Sequence, residues 1–462
     1  MADSTQVLPR TKIAVGELEA AAGRLRAANV AFARRYSGEV AARQPVHTVY
    51  GGAQLFRSDT TTKLGEIALR ALQDYAPDAT TLGEALGISD HPALSTIYSR
   101  LVRKLQTEPV EDFRIDFEDG YGQRPDSEED GHAAAVATAL ADGMSAGTLS
   151  QYVGIRVKPL TEELRARSLR TLDIVLSTLM ERAGAIPGRF LITLPKITLL
   201  EQVEFVVSVL ERMERALGLA TPTLRFEVMV ETPQIVLDAS GRSLLPRLLD
   251  AGQGRLSSAH FGTYDYTASV GITAAHQRMQ HPACDFAKQM MQVAFAGTGV
   301  WLSDGSTAVL PVPIHRAEPG ATRLTSKQAA ENRASIHRAW RLHYDDVRHT
   351  LVGGFYQGWD LHPAQLVTRY AALYAFFLEG LDAAAARLRN FVAKAAQATL
   401  IGDVFDDAAT GQGLLNFFLR AINCGAIADT EVAERTGLAT EELRQRSFSK
   451  ILADRGSVKG RG

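Results

Sequence analysis

The sequence predicts an α/β fold, a (β/α)8 TIM barrel that follows an N-terminal helix and precedes a C-terminal helical region. Eight short apolar runs resemble strands, and mostly helical runs separate them. This alternation is typical of parallel α/β proteins and not of β-sandwiches. Polar residues recur where the apolar runs end, and such ends share one face of a barrel. We predict a helical segment at 1–45, the barrel at 46–380 and a helical region at 381–462.

Composition and charge narrow the functional classes. The chain has 462 residues, 46% hydrophobic and 22% charged, as is usual for a globular enzyme. A formal net charge of −2 gives no basic field for nucleic acid. No apolar run reaches the roughly 20 residues of a membrane span, and the first residues lack the apolar core of a signal peptide. Cys284 and Cys424 match no metal or redox spacing. We therefore expect a cytoplasmic protein with no nucleic acid and no membrane as partner.

The stretch LRFEVMVETP at 224–233 is the strongest single indication of a buried parallel strand. Its apolar residues run continuously, as they do in strands buried on both faces. The run stops at Glu231, and Pro233 cannot extend the pairing because it lacks an N–H group. A carboxylate here suits the catalytic face of a barrel, although a helix N-cap or a surface glutamate would give the same local pattern.

The other elements follow from the same periodicity arguments. An amphipathic helix is expected at 15–36. The eight strands are expected at 47–56, 112–117, 152–157, 190–194, 224–233, 256–261, 307–314 and 351–361. The helices between and after them are expected at 64–75, 130–142, 162–183, 199–217, 244–251, 272–298, 326–349 and 366–378. Several helices follow residue 382. Residues 429–451 have a helix–turn–helix spacing without a basic stripe, so we expect a packed helical hairpin there.

Polar and charged side chains follow six of the predicted strands. They are Asp116, Glu118, Arg156, Lys196, Glu231, Asp265, His362 and Gln365. Because all strand ends of this kind face one mouth in a barrel, they are considered together. Asp116, Glu118 and Asp119 fall within four positions, and their mutual repulsion is relieved either by a cation or by exposure to water.

These residue types suit a metal-dependent reaction on a 2-keto acid. Glu231 and Asp265 follow adjacent strands and offer two oxygen ligands to a hard cation. Mg²⁺ takes one or two carboxylates together with substrate oxygens and water. Asp116 or Glu118 would hold a water molecule on the ion, and Arg156 would pair with a substrate carboxylate through two donors. Such a site would stabilise an enolate.

Six segments, in order along the chain, resemble the motifs of one superfamily. The segments are RIDFEDGYG, GIRVKP, LPKIT, VMVETP, FGTYDYTASVG and LHPAQL. They resemble the D-L-E-D, R-V-N, L-P-K, (I/V)-E-T, G-x-x-D-L-x-x-x-L-G and I-H-P-x-Q motifs of the citrate lyase beta subunit and its relatives. The chain therefore resembles the superfamily of citrate lyase beta-like proteins, 2-keto-acid aldolases and malate synthases, which share a phosphoenolpyruvate/pyruvate-type TIM barrel.

The resemblance implies Mg²⁺, with Mn²⁺ as an alternative, and a pyruvate, oxaloacetate or glyoxylate unit as substrate. By position, it implies that Glu231 and Asp265 bind the metal and that Arg156 binds the substrate carboxylate and takes part in catalysis. Asp116 and Glu118 would lie near the metal through water, and Glu118 is also a candidate catalytic residue. Further substrate-binding positions are Lys196, Gly262, Thr263 and Tyr264. Relatives of this fold are often homo-oligomers, and we expect one here by analogy.

A seventh segment, after the barrel, concerns the group that transfers a proton. FDDAAT at 405–410 resembles the E-D-A-A-T segment of malate synthases, whose aspartate takes a proton from acetyl-CoA. This alignment implies Asp407. The G-x-x-x-D pattern of the citrate lyase-like proteins fits GDVFD and implies Asp406 instead. A helix N-cap would give the same sequence. A coenzyme A thioester is therefore a candidate co-substrate.

Three functional hypotheses stay open. The first is a Mg²⁺-dependent carbon–carbon lyase or aldolase acting on a 2-keto acid or its acyl-CoA adduct. The second is a malate synthase-like enzyme that condenses an acyl-CoA with glyoxylate. The third is a non-catalytic barrel that serves as a subunit or binds a ligand. Lys158 stands where the family often has Asn, and residues 279–338 are longer than small members need, so the substrate stays open.

Overall fold

The computed structural model describes residues 18–38, 42–316, 324–393, 399–401, 404–406, 408–444 and 451. In this part of the chain, eight strands form one sheet in the order β7-β6-β5-β4-β3-β2-β1-β8, and every pairing is parallel. The strands are β1 (His47–Gly52), β2 (Asp112–Asp116), β3 (Tyr152–Arg156), β4 (Phe190–Leu194), β5 (Arg225–Val230), β6 (Leu256–Phe261), β7 (Trp301–Ser303) and β8 (Gly358–Asp360).

The two ends of this sheet meet and nearly close a barrel. The Asp304 N–H donates to Gln357 O at 2.9 Å, and the Trp359 N–H donates to Gly305 O at 3.0 Å. Ser306 also forms a parallel bridge with Trp359. The predicted α/β fold, a TIM-like barrel with extra helices at both ends, is therefore confirmed.

Helices follow the strands and cover the outside of the barrel. The helices are α1 (Glu19–Arg35), α2 (Thr60–Tyr75), α3 (Ala79–Leu86), α4 (Leu94–Thr107), α5 (Asp126–Ala146), α6 (Arg165–Ala183), α7 (Leu200–Leu217), α8 (Pro233–Val236), α9 (Leu248–Ala251), α10 (Thr263–Ser269), α11 (Pro282–Phe295), α12 (Ser326–Val352) and α13 (Gln365–Glu379). α7 illustrates the packing, since Val203, Val206, Val207 and Leu210 form one buried stripe at helical spacing.

Further elements follow the barrel. They are α14 (Leu381–Ala393), a hairpin of β9 (Thr399–Ile401) and β10 (Val404–Asp406), α15 (Ala408–Asn423), α16 (Asp429–Thr436) and α17 (Thr440–Arg444). α13 is buried almost all round between Gln365 and Ala375, as expected for a helix that packs against both the barrel and this C-terminal region. An ion pair of 2.8 Å between Arg100 and Glu431 links α4 to α16.

Two predicted strands are wrong in position. The seventh was expected at 307–314, but β7 is Trp301–Ser303. Pro311 and Pro313 offer no N–H to a ladder, and the apolar side chains of this segment are exposed instead. The eighth was expected across 351–361, but its first part completes α12 and only Gly358–Asp360 pairs.

The helix predicted at 15–36 is α1, and it lies on the outside of the molecule. No residue of α1 is buried, and Arg35 forms an exposed 2.7 Å ion pair with Asp250. In the described part of the chain, we find no helix both long enough and apolar enough to cross a lipid bilayer.

The interior of the barrel contains a charged cluster, which we call the interior cluster: Asp112, Arg114, Glu227 and His260. Arg114 Nε and Nη2 each donate to the Glu227 carboxylate at 2.8 Å, and Nη1 contacts Asp112. His260 Nε2 lies 3.1 Å from Glu227 Oε2. All four residues are buried, so the carboxylates are compensated by protein groups and not by bulk water.

Candidate active site

The side chains that follow β2 to β6 converge at the C-terminal end of the barrel. We call this group the mouth cluster: Asp116, Glu118, Asp119, Arg156, Lys196, Glu231 and Asp265. Contacts of 4 Å or less link its members in a chain, from Asp116 through Arg156, Glu118 and Lys196 to Glu231 and Asp265. For Asp116, Glu118, Arg156, Lys196, Glu231 and Asp265, the prediction of one shared mouth thus agrees with their placement, and their roles stay predictions.

Arg156 contacts two acidic residues at the end of β2, Asp116 in its last position and Glu118 just after it. Its Nε and Nη2 donate to the two Asp116 oxygens at 2.7 and 2.6 Å, and its Nη1 lies 3.1 Å from Glu118 Oε2. The register explains the first contact, since Asp116 and Arg156 are direct partners across β2 and β3. Burial lowers the pKa of Arg156, but Asp116 and Glu118 raise it well above its ordinary value.

Lys196 places a positive charge among the carboxylates of the mouth cluster. Its backbone adopts a φ of 51°, uncommon for a side-chain-bearing residue, and its N–H donates to Glu231 Oε1 at 2.6 Å. The ammonium contacts Glu118 and lies 3.2 Å from Asp119 and 3.7 Å from Asp265. Burial lowers the pKa of Lys196, but the hydrogen bond to Glu118 and the nearby carboxylates raise it overall.

Glu231 is the most poorly compensated carboxylate of the mouth cluster. Only 1% of it is exposed, and within the described residues the Lys196 N–H is its one hydrogen-bond donor. Burial, and next the charge of Asp265, raise its pKa to about 8. Gly262 allows the close approach of β6, because a Cβ there would lie 2.3 Å from Glu231 Oε2.

The mouth cluster carries an excess of negative charge. It contains five carboxylates and two cationic side chains, so three negative charges are unmatched when all groups are ionised. Within the described ranges, no group of three or more His, Cys, Asp or Glu has the arrangement of a metal site. Glu231 and Asp265 therefore form a two-carboxylate site at most, which still suits Mg²⁺ completed by water and substrate oxygens.

Sequence comparison assigns the chain to a family. The match to DUF6986, described as a domain of unknown function, spans residues 25–451. The chain belongs to the DUF6986 family. No curated protein matches its sequence.

Solved structures show which known fold this DUF6986 chain shares. A citrate lyase from Burkholderia xenovorans LB400 matches with a TM-score of 0.54 and 20% identity over 86% of this chain and 96% of that one. A Haloferax volcanii malate synthase, in a magnesium/glyoxylate complex, gives a TM-score of 0.47 and 14% identity over 88% and 98%. The citrate lyase beta subunit of M. tuberculosis, with oxaloacetate and magnesium, gives 0.38 and 14% over 72% and 98%. At these identities the first match establishes the fold alone.

Aromatic residues at the mouth were missed by the sequence reasoning. The Arg156 guanidinium lies 4.8 Å from the ring centre of Tyr50 and 5.9 Å from that of Trp359. These two rings lie 4.5 Å apart, and the Tyr50 hydroxyl lies 3.9 Å from Met229 Sδ. Their positions in the first and eighth strands could have indicated that they face the barrel interior. An uncharged side chain within an apolar run, however, does not by itself indicate a functional residue.

Other residues at the predicted strand ends form hydrogen bonds within the neighbouring loops. The Tyr264 hydroxyl donates to Ser306 O at 3.0 Å and accepts from the Ala308 N–H at 2.8 Å, and burial raises its pKa to about 12. Gln365 caps its own turn, with Oε1 accepting from the N–H of Leu361 at 2.8 Å. Thr263 is buried, and its hydroxyl has no hydrogen-bond partner within the described residues.

The two aspartates proposed as the base lie in the C-terminal region. Asp406 is the last residue of β10, and its side chain is outside the described part. Asp407 lies outside the described residues altogether. α15 begins directly afterwards at Ala408, which agrees with the N-cap interpretation of this segment as well as with the catalytic one.

Proposed function

We propose that this protein is a Mg²⁺-dependent carbon–carbon lyase or aldolase that acts on a 2-keto acid, with Mn²⁺ as an alternative ion. The observation that carries the proposal is the pair Glu231 and Asp265. One of these carboxylates is buried with a single hydrogen-bond donor, and the other raises its pKa. A carboxylate pair of this kind, in which Glu231 is buried and Asp265 is partly exposed, is stabilised when a divalent cation shares its oxygens.

The donor set fits the ion. Carboxylate oxygens are the ligands that Mg²⁺ prefers, and Mg²⁺ commonly keeps several waters or substrate oxygens. When bound by Glu231 and Asp265, Mg²⁺ would polarise the keto oxygen of the substrate and stabilise the negative charge of an enolate. Glu118 and Lys196 adjoin this pair and would hold water and balance charge beside the ion.

Arg156 keeps donors for a substrate. A guanidinium has five N–H groups; two of those of Arg156 donate to Asp116, and its Nη1 lies 3.1 Å from Glu118 Oε2. We expect the N–H groups left on Nη1 and Nη2 to pair with the substrate carboxylate. The faces of Tyr50 and Trp359 shield the guanidinium from water, so the pairing is stronger than at an exposed site.

Glu118 is the proposed acid–base group. Burial raises its pKa, which brings a carboxyl closer to the range useful for proton transfer near neutral pH. In the cleavage direction, the hydroxyl of a 4-hydroxy-2-keto acid loses its proton to Glu118 as the carbon–carbon bond breaks. The bonding electron pair passes to the 2-keto fragment as an enolate, the other fragment leaves as a carbonyl compound, and the proton returns to the enolate carbon.

Exchange of the methyl protons of pyruvate tests this function without knowledge of the second substrate. In D2O with Mg²⁺, the protein should exchange these protons, as followed by proton NMR, because exchange needs only enolate formation. EDTA and the substitution Glu231→Gln should each stop it, whereas the exposed control Glu201→Gln should not. The absence of enzyme-dependent exchange with pyruvate, together with no cleavage of 4-hydroxy-2-keto acids, would contradict the proposal.

A malate synthase-like condensation is the second candidate, and the segment at 405–410 favours it. Here Asp407 or Asp406 would take a methyl proton from acetyl-CoA, the enolate carbon would attack the aldehyde of glyoxylate, and water would release free CoA. Thiol release from acetyl-CoA, glyoxylate and Mg²⁺ would establish this reaction. Loss of thiol release in Asp407→Asn but not in Asp406→Asn, or the reverse, would identify the base.

A further inference from the structure

A large cavity lies at the end of the barrel opposite the mouth cluster. Its volume is about 520 Å³, within the range of small-molecule sites. Five consecutive strands, β3 to β7, contribute their first residues to its lining, which are Tyr152, Phe190, Arg225, Leu256 and Trp301. Strands of five residues separate these positions from the mouth by about 16 Å, so the two sites do not share residues.

The walls of this cavity suit an apolar, planar body. Tyr152 and Trp301 contribute an aromatic pair whose ring centres are 5.7 Å apart at an angle of 74°. Ile186, Leu249 and Val300 line the cavity beside them. Rings and aliphatic side chains at the wall of a concave site favour an aromatic or acyl group through burial of apolar area.

The charged residues of the lining are two arginines, and no acidic residue lines the cavity. Arg189 donates to the Tyr152 hydroxyl at 3.0 Å, with its guanidinium 4.9 Å from the ring centre. Arg225 donates to Ser257 Oγ at 2.8 Å. Neither arginine has a carboxylate partner among the residues the structure describes. Burial and the neighbouring Arg255 lower the pKa of Arg225, so its positive charge is not compensated locally.

We propose that this cavity binds a small amphiphilic anion, in which an aromatic or acyl body carries a carboxylate, sulfonate or phosphate group. The body would lie against Trp301 and Tyr152, and the anionic group would pair with Arg189 and Arg225, since guanidinium groups donate to oxyanions through paired N–H groups. The mouth cluster carries the opposite excess charge, so an anion without a metal ion prefers the cavity. The site does not depend on the reaction proposed for the mouth.

Two dyes that share one skeleton test the proposal. The probes are 8-anilinonaphthalene-1-sulfonate and N-phenyl-1-naphthylamine, which lacks the sulfonate. Titrated against the full-length protein, the sulfonate dye should bind with one dominant site and at least about tenfold more tightly than the neutral dye, as one charge-assisted hydrogen bond predicts. Trp301→Ala should weaken both dyes, because it removes the shared aromatic contact.

The arginines supply the decisive comparison. The double substitution Arg189→Ala with Arg225→Ala should lower the affinity for the sulfonate dye by about tenfold or more. It should lower the affinity for the neutral dye by less than about threefold. The matched control, Arg70→Ala with Arg212→Ala, removes two exposed helix arginines that form no ion pair with any residue the structure describes, and it should change neither affinity. If the double cavity variant fails to fold, Arg225→Gln, which keeps a donor for Ser257, should still weaken the sulfonate dye selectively.

Several results would overturn the proposal. Equal affinity for the two dyes, or unchanged affinity for the sulfonate dye in the arginine variants, would show that the cavity is not an anion site. Displacement of the sulfonate dye by Mg²⁺ and oxalate would place the dye at the mouth. Absence of pyruvate proton exchange with intact dye binding would contradict only the reaction proposed for the mouth. The two proposals can therefore be rejected independently.

Discussion

Two glutamates on one strand show how the barrel treats buried charge in two ways. Glu227 lies inside β5 and Glu231 follows its end, and both are at most 1% exposed. Burial raises the pKa of both, but Arg114 and His260 bring the pKa of Glu227 well below its ordinary value. The pKa of Glu231 is instead raised to about 8, because the largest effect after burial is repulsion by the negative charge of Asp265.

The hydrogen bonds explain the difference. Glu227 accepts from Arg114 at two nitrogens and from the hydroxyls of Thr193 and Ser258. Among the residues the structure describes, Glu231 accepts one hydrogen bond, from the Lys196 N–H. Glu227 is thus compensated within the protein and links neighbouring strands, whereas the mouth cluster has an excess of carboxylates, which a bound cation would balance under the proposed function. Under the proposed function, this contrast distinguishes a structural ion cluster from a catalytic one.

The largest expected effect is on activity at the mouth. Glu231→Gln should reduce Mg²⁺-dependent exchange of pyruvate protons by about 10³-fold, because a metal ion contributes several kcal/mol to enolate stabilisation. The fold should be retained, since the substitution removes a poorly compensated buried charge. Exchange rates by NMR and the urea midpoint measure the two effects. Full activity in this variant would show that the site is assigned wrongly.

The matched change in the interior cluster should act on stability. Arg114→Met leaves Glu227 and Asp112 without their main partner, and removal of one member of a buried ion pair costs about 3–5 kcal/mol of unfolding free energy. Urea denaturation measures this loss. Adding Glu227→Gln to the same chain should recover part of it, because one uncompensated charge disappears. A loss below about 1 kcal/mol would mean that the interior cluster is not structural.

The raised pKa of Glu231 gives a pH dependence with a definite sign. A carboxyl whose folded pKa of about 8 lies above its ordinary 4.5 stabilises the fold below pH 4.5, and that stabilisation is lost as the pH rises through 8. In EDTA, the wild type should therefore lose about 2 kcal/mol or more between pH 5 and pH 8 relative to Glu231→Gln. Saturating Mg²⁺ should remove most of this difference. Identical pH profiles for the two proteins in EDTA would contradict the account.

The smallest effect concerns the substrate alone. Arg156→Ala should weaken binding of oxalate in the presence of Mg²⁺ by about 10- to 100-fold, the value of one or two charge-assisted hydrogen bonds. Binding of Mg²⁺ itself should change less, because Arg156 is not a proposed ligand. Calorimetric titrations of both ligands measure this ratio. Equal losses for ion and oxalate would mean that Arg156 only positions Asp116 and Glu118.

The sequence was sufficient for the barrel and for the identity of the mouth residues, because both depend on local patterns. A continuous apolar run that stops at Glu231 defines a strand and its end. The strand predicted at 307–314 was wrong also because of a local pattern. Its hydrophobicity suggests a strand, but its prolines exclude ladder pairing. β7 and β8, at three residues each, are too short for a periodicity.

The pairings within the site could not be predicted. The bond between Arg156 and Asp116 depends on the register of β2 against β3, and the compensation of Glu227 by Arg114 depends on two strands that are distant in the sequence. Tyr50 and Trp359 were missed because their contact is with the guanidinium of Arg156, a residue of β3 that is distant from both in the sequence. Tertiary proximity decides each of these features.

A crystal structure of the full chain with Mg²⁺ and oxalate tests the central claim most directly. The account predicts one ion bound by the carboxylates of Glu231 and Asp265, with oxalate on the ion and on the free edge of Arg156. Oxalate bound without an ion, or an ion held elsewhere while these two carboxylates point apart, would contradict it.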